Sequence, residues 1–244
     1  MPRFVRLDQH LGHTRPDVDD VSRAIAGGRV SVDGRVVSNP ASLVRQDARI
    51  VVRRERTLRG TAKLAAALRA FTVDVVGRTA LDLGAAAGGF TSALLNAGAG
   101  RVYAVDAGVG QLTGRLRQDA RVVNLEGVNL GRLDTTLVPD QIDVVTIDLS
   151  YLSLADALPQ LERLAFNAGA DLIALVKPMY ELGWSRPPAP DDLEAIGEAV
   201  RRATSGIEAV PWCVEADLRS PVTGGRGAVE WLVHARRFCH YNVS

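Results

Sequence analysis

The residues best placed to do chemistry stand at the ends of apolar runs. Leu81-Asp82-Leu83-Gly84-Ala85-Ala86-Ala87-Gly88-Gly89-Phe90-Thr91 reads as a buried strand that ends in Asp-x-Gly-x-x-x-Gly-Gly, with a helix opening at once. Glycines there permit a tight turn and a close approach of backbone to ligand, as in nucleotide-binding α/β folds. The spacing is not that of a dinucleotide fingerprint, nor of a P-loop, since no Gly-Lys-Ser/Thr follows. A second apolar run, Val102-Tyr103-Ala104-Val105, ends in Asp106, 22 residues past Gly84. An acid in that place can accept hydrogen bonds from both ribose hydroxyls of a nucleoside ligand. Glu126 and Asn129 follow a third run and could reach an adenine edge. Asp148 and Lys177 end two further runs, Val144–Ile147 and Ala174–Val176. Burying an unpaired ammonium is costly, so Lys177 needs a partner or a function, and Asp148 at the matching end of a neighbouring strand can pair with it. Glu230 is a second acid in an apolar setting, Gly227 to Val233.

These positions require a scaffold of alternating strands and helices. Strands are expected at 79–83, 101–105, 121–125, 142–147, 172–176, 209–215 and 228–235. Helices are expected at 62–71, 90–96, 111–117, 154–166 and 191–204. The alternation predicts an α/β fold with a mostly parallel, doubly wound sheet and helices on both faces. Residues 1–53 form a separate small α+β unit. Arg6 to Leu11 is a short amphipathic piece, and Thr14 with Pro16 and Asp17 reads as a helix start. Val30-Ser31-Val32, Asp33-Gly34 and Arg35-Val36-Val37 read as a hairpin, because both turn positions need positive φ. A further strand is expected at 47–52. Residues 54–61 read as a basic linker and 62–244 as the body.

Charge follows the same division. Residues 1–60 hold twelve Arg against seven acids, a net of +5, whereas the remaining 184 carry a net of −4. A basic module on a mildly acidic body suggests a polyanion partner for the module. Of 29 basic residues only two are lysine, Lys63 and Lys177. Arginine keeps a charge but does not give up a proton, so the two lysines are chemically distinct positions in this chain. The N-terminus has no apolar h-region, and no apolar run approaches the roughly 20 residues of a membrane span, so the chain reads as cytoplasmic. Two cysteines and four scattered histidines offer no disulfide framework or metal set, and no metal is expected.

Asp82 to Thr91, placed after the first strand of the body, resembles the S-adenosylmethionine loop of Rossmann-like methyltransferases. The body as a whole resembles the FtsJ-like ribose 2′-O-methyltransferases, and nearly the whole chain resembles the TlyA family. That family joins an S4-like RNA-binding domain to such a methyltransferase. Arg6-Leu7-Asp8, Thr14-Arg15, Gly28-Arg29-Val30 and Val32-Asp33-Gly34 carry the S4-like pattern. The Gly-rich loop, Ile147-Asp148-Leu149-Ser150, Val176-Lys177-Pro178 and Ser220-Pro221 with Glu230 carry the catalytic half. The resemblance implies a tetrad of Lys63, Asp148, Lys177 and Glu230. It implies S-adenosyl-L-methionine held by Asp82, Gly84, Ala85, Gly88, Gly89, Phe90, Thr91 and Asp148, beside Asp106, Glu126 and Asn129. It further implies ribosomal RNA or ribosomal subunits as partners, with phosphate contacts from Arg3, Arg6, Arg15, Arg29, Arg35 and Arg59.

In that reading Lys177 takes the proton of a ribose hydroxyl and the sulfonium methyl transfers in line. The chain departs from the family pattern at Thr61, where glycine is usual, at Ala228, where asparagine is usual, and across Tyr180 to Trp184. Two other functions stay open from sequence: a small-molecule O-methyltransferase of the same fold, which the basic N-terminal unit disfavours, and a membrane-active hemolysin-like protein, which the lack of a span or a strongly amphipathic basic helix disfavours.

Overall fold

Apolar residues come in short runs in the first sixty positions, and the strands they form are correspondingly short. The computed structural model describes residues 3–16, 18, 20–53 and 58–238, and the chain divides into two compact units, Met1–Arg56 and Thr57–Ser244. In the first unit β1 (Phe4–Arg6) leads into α1 (Leu7–Thr14), and α2 (Val21–Ala26) follows. Next come β2 (Val30–Val32), β3 (Arg35–Val36), β4 (Leu43–Arg45) and β5 (Ile50–Val52). β2 lies between β3 and β5, while β1 pairs with β4. The β2–β3 turn uses Asp33 at φ 48° and Gly34 at φ 84°, as a two-residue hairpin of this twist demands. Leu7, Leu11, Ala24, Ile25, Val30 and Val44 form the small core.

Two expectations for this unit need correction. Thr14 ends a helix rather than starting one: Leu7 and Leu11 are buried one turn apart, and the Thr14 hydroxyl donates back to the His10 carbonyl at 2.8 Å. Asp17 lies outside the described residues. Strands β1 and β4 were not expected from sequence, because three residues are too few to show an alternation.

The second unit is built on a seven-stranded sheet. α3 (Arg59–Ala70) comes first, so residues 59–61 belong to a helix and not to a linker; residues 54–57 lie outside the described residues. Then follow β6 (Thr79–Leu83), α4 (Gly89–Asn96), β7 (Arg101–Asp106), α5 (Gly114–Arg117), β8 (Val122–Glu126) and β9 (Ile142–Ile147). α6 (Leu154–Ala157), β10 (Phe166–Val176), α7 (Pro178–Glu181), α8 (Leu193–Glu208), β11 (Trp212–Arg219) and β12 (Trp231–Arg237) complete it. The strand order is β11-β12-β10-β9-β6-β7-β8, parallel from β10 to β8, with β12 antiparallel to both β10 and β11.

Alternate residues of each strand enter opposite cores. Leu81, Tyr103, Val105, Val145 and Leu172 join one cluster, and Ala80, Val102, Ala104, Val144 and Ile173 join the other. Both faces are covered, as a parallel sheet requires. The order reverses between β6 and β9, and ligands of open α/β sheets bind at such a switch point, beyond the carboxyl ends of the strands.

Several boundaries differ from expectation. The helix expected over 154–166 stops at Ala157 and continues only as a 3-10 turn, Leu158–Leu161, where Pro159 lacks the N–H an α-helix needs. β10 therefore begins at Phe166, well before Leu172. α5 is confined to Gly114–Arg117, α8 runs on to Glu208, and β11 and β12 start three residues late. Glu230 consequently stands immediately before β12 rather than inside it.

Candidate active site

Lys63 sits one turn into α3, and a pair of glycines brings that helix in. A Cβ on Gly89 would lie 3.0 Å from the Gly60 Cα, so α3 and α4 meet backbone to backbone. The Thr61 hydroxyl donates to the Gly89 carbonyl at 2.9 Å, fixing the contact. Lys63 is 6% exposed and donates to Glu230 Oε2; Glu230 is also 6% exposed. A loop closes over this pair: the Ser220 N–H donates to the Glu230 carbonyl at 2.9 Å, and Arg59 Nη1 donates to the Gly224 carbonyl at 3.1 Å.

Lys177 extends from the end of β10. Its Nζ donates to Ser150 Oγ at 2.7 Å and lies 2.5 Å from Asp148 Oδ1. The second contact is an ion pair off the axis of a hydrogen bond, which leaves Asp148 Oδ1 without an aligned donor. Asp148 is held by its own backbone, its N–H donating to the Leu83 carbonyl at 2.9 Å. Gly84, at φ 84°, passes directly beneath: a Cβ there would stand 2.5 Å from the Asp148 carbonyl oxygen, so only glycine fits. The four expected tetrad residues thus form two acid–base pairs, one wholly buried and one half open. Lys177, Glu230 and Ser150 line a common pocket of ≈ 300 Å³ whose other walls include Tyr180, Arg186 and Arg226.

Two residues important to this geometry were missed in the sequence. Ser150 is one. Glu181 is the other: both its carboxylate oxygens accept from the Leu154 N–H, at 3.1 and 3.3 Å. It therefore ties the segment after Lys177 to the segment after Asp148. Burial pushes its carboxyl up to about 7. Ser150 lies within the Ile147–Ser150 stretch that carries the family resemblance, which could have marked it, whereas Glu181, four residues after Lys177, has no such signal.

At the carboxyl ends of β6 and β7 a narrow crevice is lined by Gly84, Asp106, Val128, Leu130, Leu149 and Tyr151. Asp106 Oδ2 accepts from the Ala86 N–H at 2.8 Å and Oδ1 from the Gly108 N–H at 2.7 Å, which fixes its carboxylate at the rim with lone pairs to spare. Asn129 is exposed just beyond.

The other expected cofactor residues have partners within the fold. Asp82 is completely buried and accepts from the Thr91 and Thr146 hydroxyls at 2.6 and 2.9 Å, so it braces the Gly-rich loop from below. Burial raises its carboxyl to about 6. Ala85, Phe90 and Thr91 are buried with it, Gly88 backs onto Leu116, and Gly89 faces Gly60. Glu126 accepts from the Gln111 and Leu112 N–H groups and from Asn124, and it pairs with Arg117 at 3.2 Å. With so many donors its carboxyl is held down to about 2, and it organises the loop after β7.

Of the expected RNA contacts, Arg3 and Arg35 are exposed, Arg6 is exposed and paired with Asp8 at 2.6 Å, and Arg15 and Arg29 are half-buried. Arg59 belongs to the second unit, where it holds the Gly224 loop.

Known proteins resemble this chain in sequence and fold. Residues 57–187 match the family described as FtsJ-like methyltransferase. The chain is 36% identical, over 97% of its length and 91% of the relative's, to the 16S/23S rRNA (cytidine-2′-O)-methyltransferase TlyA of Mycobacterium tuberculosis. It is 33% identical to YqxC of Bacillus subtilis, provisionally named an rRNA methyltransferase, over 93% of this chain and 82% of that one. A solved structure from Streptococcus thermophilus, provisionally named a hemolysin, superposes with a TM-score of 0.66 at 29% identity, covering 98% of this chain and 90% of that one. With the catalytic half matched and the identity running through both units, the chain belongs to the TlyA family of FtsJ-like methyltransferases.

Proposed function

We propose that this methyltransferase transfers the methyl group of S-adenosylmethionine to a ribose 2′-hydroxyl of ribosomal RNA. One observation carries the reading: two lysine–carboxylate pairs, from four separate elements, each present one member, Glu230 and Lys177, to one pocket beside the crevice at the sheet's switch point. The crevice suits an adenosyl group chemically. Asp106 offers acceptors for ribose hydroxyls, and Val128, Leu130 and Leu149 offer apolar walls for a purine. When bound, S-adenosylmethionine supplies an electrophilic methyl on sulfur. The chain's own residues then have defined tasks. Lys177, once it has released its own proton to solvent and stands as the neutral amine, can accept the hydroxyl proton at Nζ, with Asp148 and Ser150 fixing that atom from two sides. Glu230, held by Lys63, lines the same pocket and restricts how a ribose can lie. Such orientation is a large part of what accelerates an in-line transfer.

The first unit, residues 1–53, serves in this reading as an S4-like RNA-binding module. β1 and β4 pair Phe4 with Arg45 and Arg6 with Leu43, so these four side chains share one face. Phe4 and Leu43 are 57% and 69% exposed, a surface on which bases can stack beside guanidinium groups. A small-molecule enzyme has no use for such a surface. No helix among the described residues is long and apolar enough to cross a membrane. Incubating the protein with labelled S-adenosylmethionine and ribosomal subunits, then mapping label to a ribose, tests the proposal. Label on a base or on protein, or none on RNA, would overturn it. Lys177→Ala should abolish transfer while keeping cofactor affinity.

A further inference from the structure

Arg186 and Arg226 stand on the rim of the 300 Å³ pocket whose floor holds Lys177, Glu230 and Ser150. Both are exposed, and neither makes a hydrogen bond or an ion pair among the described residues. Arg69, Arg132, Arg163 and Arg219 share that state, whereas Arg78, Arg101, Arg117, Arg121, Arg201 and Arg202 have carboxylate partners within the unit; what sets Arg186 and Arg226 apart is that they line the pocket of Lys177. Residues 61–244 also carry an excess of acids, so partners are not scarce.

The backbone at both arginines is constrained as well. Arg226 is a non-glycine residue at φ 56°, set among Gly224, Gly225 and Gly227. Its loop is closed by the Gly224 N–H donating to the Ala228 carbonyl at 2.8 Å and is anchored by Arg59. A left-handed conformation at a side chain of this size carries strain and persists only where the surroundings enforce it. Arg186 precedes Pro187-Pro188, which disfavours helical backbone at that position. Two guanidinium groups without carboxylate partners line a cavity at the small end of ligand-site volumes. The space suits one nucleotide and excludes a duplex.

We propose that Arg186 and Arg226 grip RNA phosphates on either side of a single nucleotide drawn out of its stack into this pocket. The inference rests on the reading of the substrate as an RNA ribose, and it assigns to the catalytic unit a phosphate clamp of its own. Guanidinium suits the task because its planar donor fork matches phosphate oxygens. Drawing the nucleotide out brings its 2′-hydroxyl down to Lys177, and the clamp offsets the cost of unstacking.

The test uses the full chain with ribosomal RNA. Methyl-transfer kinetics of wild type, Arg186→Ala and Arg226→Ala are measured between 50 and 200 mM salt, on the order of the range over which phosphate contacts report. Each variant should raise KM for RNA about tenfold or more with little change in kcat, since a charge-assisted contact is lost. The dependence of log kcat/KM on log salt should flatten by roughly 0.7 per arginine, the single-strand value per phosphate. Affinity for S-adenosylmethionine should stay unchanged, which also shows that the variants are folded. Wild-type KM and salt slope in both variants would overturn the clamp while leaving the transfer reaction standing. A fall in kcat at constant KM would also overturn it, by moving the arginines into the chemistry. A wild-type protein that methylates no RNA would overturn the functional reading, and the clamp with it.

Discussion

Replacing Lys63 by methionine separates the structural part of the tetrad from the chemical part. Lys63 and Glu230 are each 6% exposed, and the lysine is the side-chain donor to Glu230 Oε2. Lys63→Met leaves a carboxylate buried beneath the Gly224 loop with no counter-charge. Breaking a buried pair from one side costs about 3–5 kcal/mol, because the remaining charge keeps its desolvation penalty. Removing both charges, as in Lys63→Met with Glu230→Met, should return stability to within about 1 kcal/mol of wild type, since apolar replacement of a buried pair is often neutral. Lys177→Met is the control. Its pair is more open, with side chains 16% and 24% exposed although Asp148 Oδ1 itself is buried, so the cost should be smaller than at Lys63, about 1–2 kcal/mol.

All three tryptophans, Trp184, Trp212 and Trp231, lie in the second unit, so their fluorescence during denaturant unfolding reports the right part of the chain. Methyl transfer is measured on the same samples. The double variant should be stable and inactive, and Lys177→Met stable and inactive, while Lys63→Met should be both unstable and inactive. If Lys63→Met unfolds at the wild-type midpoint, or if the double variant is no more stable than the single one, the buried charge is not what holds this corner together.

Asp106→Ala should weaken S-adenosylmethionine binding about 10- to 100-fold by calorimetry, because ribose acceptors are lost and the Ala86 and Gly108 N–H groups are freed; unchanged affinity would exclude Asp106 from the site. Glu181, with its carboxyl raised by burial to about 7, holds a proton in the folded chain that the unfolded chain releases near its ordinary value of 4.5. Stability should therefore rise as pH falls from 7 towards 4.5, by up to about 3 kcal/mol, and Glu181→Gln should flatten that slope; an equally steep slope in the variant would refute the assignment. Gly89→Ala gains helix propensity of about 1 kcal/mol yet should destabilise and lower transfer, because its Cβ meets Gly60 backbone at 3.0 Å and pushes α3, with Lys63, away; a stabilised, fully active variant would show that the helices can part freely.

The sheet was legible because its signal is redundant. β6, β7, β9 and β10 bury residues on both faces, so each reads as an apolar run, and the acids and lysine that end those runs fall together at the carboxyl end of the sheet. Boundaries failed where a local feature opposed the run, as at Pro159, and β1 and β4 failed because three residues carry no period. For the site, sequence marks which residues are expensive to bury but not which neighbours compensate them.

Asp82 shows the consequence. A carboxylate beside a Gly-rich turn reads as a ligand, yet it is engaged from within by Thr91 and Thr146. A usable signal was present: Thr146 is the register partner of Asp82 on the adjacent strand, two residues before Asp148, while Thr91 opens the helix that follows the turn. Hydroxyls on both flanking elements distinguish a bracing carboxylate from a binding one. Asp106 has no such hydroxyls; its donors are the backbone N–H groups of Ala86 and Gly108, which fix the carboxylate and leave its remaining lone pairs facing outward. The same criterion sorts the lysines. Lys63 has its acid wholly buried beside it and serves position, whereas Lys177 has a half-open acid, a serine and a pocket before it, and so is the one with room to meet a substrate.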